Sequence, residues 1–291
     1  IARLVQWLGY PVGVIKMRGA SLARPKWAYN LRMVRRGKVR TDCDMLLTKD
    51  ETKSLPKEEI LQKITDALAH NEHKWQVENG VKFKGRHYAE GLERLLYYCP
   101  KCHSEFTMTS KDSHLTCQKC GNDVVYTYDG RLEPVGDSVS LKRIDLWYAV
   151  QKGLVAQEVK SDDFCISDKV NLFVENEKNN GYRFVASGVM TLDKQNLRFH
   201  TDWQTRPKGV KSKYGVNSMT YDVDDEQGTE PVEDEFKDIV FPINRTDTVA
   251  NLPGTALDMY DDKHVYRFMF SERKASTKYV LAIEEMYKQQ K

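Results

Sequence analysis

The sequence predicts a multi-domain α+β protein, with an α/β portion in front, a small cysteine-rich ribbon in the middle and a β-rich tail closed by a helix. Three observations predict it. The first 98 residues alternate helical and strand patterns; four cysteines fall in two Cys-x-x-Cys pairs between 99 and 120; and apolar residues beyond Phe164 recur with period two. At 291 residues the chain is also long for one core, which favours two or three domains.

Residues 1–9 read as the end of a helix carrying Leu4, Val5 and Leu8 and closed by Gly9. Tyr10 to Met17, rich in β-branched residues and bounded by Gly19, reads as a buried strand, and Lys38 to Leu47 as another. Ser54, Pro56, Glu58 and Glu59 open a helix whose Ile60, Leu61, Ile64, Ala67 and Leu68 share one face. The stripe Tyr88, Leu92, Leu95 and Leu96 predicts a second helix over Tyr88–Tyr98, running into the first cysteine. Pro134 to Asp137 mark a boundary, followed by a helix from Leu141 to Val159 with Ile144, Trp147, Tyr148 and Val155 inward.

In the tail, strands are expected at Val170–Val174, Tyr182–Phe184, Val189–Leu192, Leu197–Phe199, Leu257–Met259 and Tyr266–Phe270. Asn180-Gly181 supplies a hairpin turn, because both tolerate positive φ. A final amphipathic helix carries Tyr279, Val280, Ile283, Met286 and Tyr287. Six or seven antiparallel strands and one terminal helix resemble a pleckstrin-homology-like barrel; a half-open sheet packed on a helix is the alternative. The resulting map is 1–98 for the α/β portion, 99–130 for the ribbon, 131–162 for a linker and helix, and 163–291 for the β-rich tail.

Cys99-Pro-Lys-Cys102 and Cys117-Gln-Lys-Cys120-Gly121 are separated by fourteen residues. Each pair forms a turn whose thiolates grip one metal, and two such turns complete the tetrahedron of a structural zinc site. The interval suits a hairpin with strands at Glu105–Thr109 and Ser113–Thr116. Two disulfides are a weaker reading, since nothing points to an oxidising compartment and clustered thiols favour metal. Cys99-Pro-Lys-Cys102-His103 also matches a haem-attachment pattern, which the second pair argues against. Four protein ligands leave no open position for a reacting water, so the ion has a structural role. Cys43 and Cys165 stand alone and read as small buried side chains.

The net charge of +3 hides an asymmetry. Residues 1–40 hold ten basic side chains and no Asp or Glu, leaving 35 basic against 42 acidic groups in the other 251. Such a one-sided field draws anions. No apolar run approaches the roughly 20 residues of a spanning helix. Asp222, Asp224, Glu226 and Glu233 fall in a calcium-loop register, but Gln227 stands where glycine is needed, so a solvated acidic loop is the expectation. Trp27, Tyr29, Trp75 and Trp203 suit either a membrane interface or a core.

Several stretches together resemble the long bacterial form of the 1-acyl-glycerol-3-phosphate acyltransferase family: Tyr10-Pro-Val-Gly-Val-Ile-Lys-Met-Arg-Gly19, Pro25-Lys-Trp27, Arg36-Gly-Lys38, Ala89-Glu-Gly-Leu-Glu-Arg94, the cysteine ribbon, Trp147-Tyr148 and Ala282-Ile-Glu-Glu-Met-Tyr287. The likeness covers most of the chain and is strongest in residues 1–125. It implies that residues 1–98 are the end of an acyltransferase domain, and that the whole protein moves a fatty-acyl group from acyl-CoA or acyl carrier protein to lysophosphatidate. It also implies a cytoplasmic enzyme associated peripherally with the inner face of a membrane. A His-x-x-x-x-Asp pair would be the catalytic base, but none of the seven histidines has an Asp five positions on, so the resemblance puts that pair ahead of the position matching Ile1. Pro11, Lys16, Arg18, Arg35 and Arg36 are the candidate substrate or anion surface, arginine being suited to bidentate phosphate binding. A zinc-ribbon binding module for a protein partner, an anionic lipid or, less favoured, nucleic acid is the reading from a different class.

Overall fold

A computed structural model describes residues 1–28, 34–176, 181–207, 229–246, 249–271 and 274–290. Tyr29, Asn180 of the hairpin turn and Asp222, Asp224, Glu226 and Gln227 of the acidic loop lie outside the described residues.

Helix α1 (Ala2–Leu8) ends at Gly9, whose φ of 61° lets its N–H reach the Val5 carbonyl. Strand β1 (Val12–Arg18) is followed by the short α2 (Ala20–Ala23), and pairs antiparallel with β2 (Arg40–Leu47) in a sheet of two strands. The expected burial of β1 is not found. Val14 is buried, but Ile15 and Met17 are 68% and 55% exposed. The reason is the two-residue period: one face packs toward α4 (Lys57–Leu68), while the other, with Ile15 opposite Cys43 and Gly13 opposite Met45, has no layer over it among the described residues. Cys43 is consequently exposed, and so is Cys165 at the start of β8 (Cys165–Asn176), so neither is the buried side chain the sequence suggested. Between these parts, α3 (Lys49–Ser54) starts with a capping box of Thr48 and Glu51, and α5 (Glu72–Glu78) is capped by the Asn71 side chain.

Residues 88–98 are not the expected helix. Only Leu92–Arg94 makes a 3-10 turn, after Gly91 at φ 92°. A helix presents one stripe to one core, whereas this segment serves two. Tyr88, Ala89, Leu92 and Leu96 enter the ribbon's core, while Tyr97 and Tyr98 enter the tail's. Burial on both sides overrides the 3.6-residue pattern.

The ribbon is a five-stranded antiparallel sheet in sequence order: β3 (Met108–Lys111), β4 (His114–Cys117), β5 (Asp123–Tyr126), β6 (Arg131–Pro134) and β7 (Lys142–Arg143). Helix α6 (Ile144–Glu158) leaves it directly and faces Ile144, Trp147 and Val155 inward. The buried Trp147 indole donates to the Tyr98 carbonyl at 2.9 Å, and the Gln151 amide accepts from Tyr98 N and donates to Leu95 O. These bonds satisfy the backbone of a non-helical segment that would otherwise be buried unpaired.

The tail continues from β8 with β9 (Gly181–Asp193), one long strand where two were expected, and β10 (Asn196–His200). The pair β11 (Thr205–Pro207) and β12 (Thr229–Pro231) stands apart from the main sheet. Strands β13 (Asp238–Pro242), β14 (Ala250–Leu252), β15 (Ala256–Tyr260) and β16 (Val265–Phe270) complete seven strands in the order β13-β10-β9-β8-β16-β15-β14. Helix α7 (Ser276–Gln289) buries Tyr279, Leu281, Ala282, Ile283 and Met286 against this sheet's core. Charged contacts tie tail to middle: Lys274 with the buried Glu93, and Lys278 with Glu105 and Glu158 at 2.6 and 2.7 Å. No helix among the described residues is long and apolar enough to cross a membrane.

Candidate metal centre

The two cysteine turns are copies of one local fold. Cys99 N–H donates to Ser104 O and Cys117 N–H to Asn122 O, at 2.9 and 2.8 Å. His103 N–H returns to Cys99 O, and Gly121 N–H to Cys117 O, both at 2.9 Å. Each turn therefore aims two Sγ atoms at one point. Cys99 and Cys120 Sγ are 3.6 Å apart, Cys102 and Cys117 Sγ 3.7 Å, and all four lie within 4.8 Å of one another. A tetrahedron with ~2.3 Å metal–sulfur bonds has ~3.8 Å edges, so the donor set fits a metal ion held by four thiolates.

Neighbouring groups tune the sulfurs. Burial pushes the Cys99 thiol up to about 12, while the hydroxyl and backbone of Ser104 pull Cys102 down to about 6. The Ser104 hydroxyl is 3.4 Å from Cys102 Sγ, and the Thr107 hydroxyl 3.3 Å from Cys117 Sγ. On bound metal these hydroxyls would donate to thiolates and spread their charge. A divalent ion removes the penalty that keeps Cys99 protonated. The sequence reading missed Ser104 and Thr107; hydroxyl residues placed two after Cys102 and ten before Cys117 were the available signal.

Second contacts anchor the turns. The Asn122 amide is buried and bonds Val139 N and O at 2.6 and 3.0 Å, fixing the second turn to the loop before β7. Tyr98 OH bonds His103 Nδ1, and Lys101 pairs with Asp137 at 2.8 Å. Cys99 and Cys117 themselves lie in the ribbon's hydrophobic core. The centre therefore lies between the segment that feeds both cores and the sheet beneath it.

The residues of the expected anion surface differ in their surroundings. Pro11 and Arg36 are exposed, Lys16 is half-buried, and Arg18 is ion-paired with Asp42. Arg35 corrects the expectation outright, since it is buried. Its guanidinium sits 3.9 Å from the Tyr88 ring centre, 4.8 Å from Trp27 and 5.6 Å from Tyr126, and donates to Tyr88 O. Guanidinium is weakly hydrated and stacks on aromatic faces, so the core takes it at lower cost than an ammonium. Trp27 is buried in this same cluster, which makes it a core residue. Histidine–carboxylate contacts do occur, His114 with Asp123 at 2.8 Å and His200 with Asp238 at 2.6 Å, each bridging neighbouring strands of a sheet.

Among the described residues a second group of metal-capable side chains, His87, Glu90 and Asp112, also converges, from positions with no recognisable ligand spacing. No protein-family model, curated protein or solved structure matches this chain.

Proposed function

We propose that the chain is the C-terminal part of a lysophosphatidate acyltransferase, in which structural zinc at Cys99, Cys102, Cys117 and Cys120 joins the end of an α/β acyltransferase domain to a pleckstrin-homology-like tail. The observation that carries this reading is the four-thiolate cluster standing between a helix–strand unit and a β-rich tail, in the order the sequence resemblance implies. The strand order β13-β10-β9-β8-β16-β15-β14 followed by α7 supports the pleckstrin-homology-like description. The uncovered face carrying Ile15, Met17 and Met45 supports an α/β neighbour, because open apolar sheet faces are normally packed. Bound zinc would contribute on the order of 10 kcal/mol to folding of the ribbon, enough to hold the segment at 88–98 between its two cores. Acyl-CoA or acyl carrier protein would donate, lysophosphatidate would accept, and the protein would work on the cytoplasmic face of a membrane as a peripheral enzyme.

The test is acyl transfer from both thioester donors to lysophosphatidate by the complete protein. Turnover that disappears when a His-x-x-x-x-Asp histidine is replaced supports the reading, and no turnover with either donor removes it. The second reading, a non-catalytic module that binds a protein partner or anionic lipid, is favoured by the tail's topology alone. It predicts vesicle or partner binding without turnover.

A further inference from the structure

Two turns far apart in sequence meet at the rim of a surface cavity of about 600 Å³. One runs through His87 and Glu90, the other is the β3–β4 turn at Asp112. His87 Nδ1 lies 2.8 Å from Glu90 Oε1 and 3.1 Å from Asp112 Oδ1. One imidazole nitrogen holds at most one proton, so it cannot donate a good bond to both carboxylates. Even a protonated ring leaves the trio with an excess negative charge, and among the described residues no lysine or arginine is paired with Glu90 or Asp112. The convergence is built into the backbone: His87 and Asp112 both sit at φ 52°, and Ala89 N–H donates to Asp112 O at 2.7 Å. Tyr126, buried with its ring centre 5.6 Å from the Arg35 guanidinium, lines the same cavity.

We propose that His87, Glu90 and Asp112 form a second divalent-cation site, separate from the thiolate centre, whose remaining coordination positions hold water on the cavity side. Adjacent ligands of an octahedral ion with ~2.1 Å bonds are ~3.0 Å apart, and the observed 2.8 and 3.1 Å edges match. A neutral imidazole with two carboxylates balances a doubly charged ion. The donor set suits manganese or zinc and, lacking sulfur, differs in preference from the ribbon. The proposal does not depend on the acyltransferase reading.

The test titrates Mn2+ into the zinc-loaded complete protein and follows free Mn2+ by electron paramagnetic resonance. Manganese is the probe because it competes poorly for thiolates. One Mn2+ per chain is expected. His87→Asn and Asp112→Asn, chosen because asparagine tolerates the left-handed backbone, should weaken binding at least ~10-fold with zinc content and Tm unchanged. Substoichiometric Mn2+ should also broaden the His87 ring signals in the unsubstituted protein. No binding up to millimolar Mn2+, unchanged affinity in both variants, or unbroadened His87 signals would each overturn the site.

Discussion

His103 and Gly121 occupy the same backbone position in two copies of one turn, with φ 60° and 71°. Glycine takes this conformation freely, whereas histidine is strained there by roughly 1 kcal/mol. The Tyr98 hydroxyl bond to His103 Nδ1 offsets that strain. Replacing Gly121 with Ala should therefore cost about 1 kcal/mol without loss of zinc, since an added Cβ meets nothing within 4 Å. Replacing His103 with Gly should be nearly neutral, strain relief cancelling the lost bond of about 1 kcal/mol, whereas His103→Ala loses the bond and keeps the strain. Denaturant titration of the zinc-loaded proteins measures all three. A His103→Ala variant as stable as His103→Gly would contradict the assignment.

The six cysteines should divide into two classes. Cys43 and Cys165 are exposed, and the Sγ atoms of the other four lie within 4.8 Å of one another. With zinc bound, a thiol reagent should react quickly with two groups per chain and with the remaining four only after chelation. Chelation should also lower Tm, because a structural metal contributes to folding of the unit that holds it. Six rapidly reacting thiols in protein carrying one zinc would rule out the four-thiolate site.

Burial holds the His73 imidazole at about 4, with Arg143 and Arg35 reinforcing the depression and Asp145 opposing it. Because the folded value lies below the ordinary 6.5, the neutral ring belongs to the native state. The stability tied to it is full above about 6.5 and lost as pH falls toward 4. At ~1.4 kcal/mol per pH unit the gap amounts to ~3 kcal/mol. Stability curves of the wild type and His73→Phe, compared from pH 7 to 4, should converge or cross in that window. Parallel curves would show that His73 does not carry the dependence.

Gly254 packs where the tail meets the segment ahead of the ribbon. A Cβ there would lie 2.5 Å from Arg94 Cβ and 2.7 Å from Arg94 Cα, and the backbone is left-handed at φ 63°. Gly254→Ala should cost about 3 kcal/mol, combining backbone strain with overpacking against main chain. The same substitution at Gly136, where nothing lies within 4 Å, should cost only the conformational part of about 1 kcal/mol. Equal losses at the two positions would remove the packing argument.

The cysteine spacing was fully legible, because a Cys-x-x-Cys turn is local and needs no distant partner to form. Gly9, the helix over 57–68, α6, α7 and most tail strands were legible for the same reason: their capping and periodicity lie within a few residues. The Thr48 and Glu51 capping box that opens α3 is equally local, its two residues lying three apart.

What the sequence by itself determined is where four sulfurs can share one metal and where periodicity shifts from helix to strand. Only the tertiary structure decided which face of β1 stays uncovered, that Arg35 enters an aromatic cage, and that residues 88–98 give up a helix to feed two cores. It alone joined His87 and Glu90 to Asp112. The physical reason is one of range: turn chemistry and capping act between near neighbours, whereas burial is set by whatever the rest of the chain packs against them.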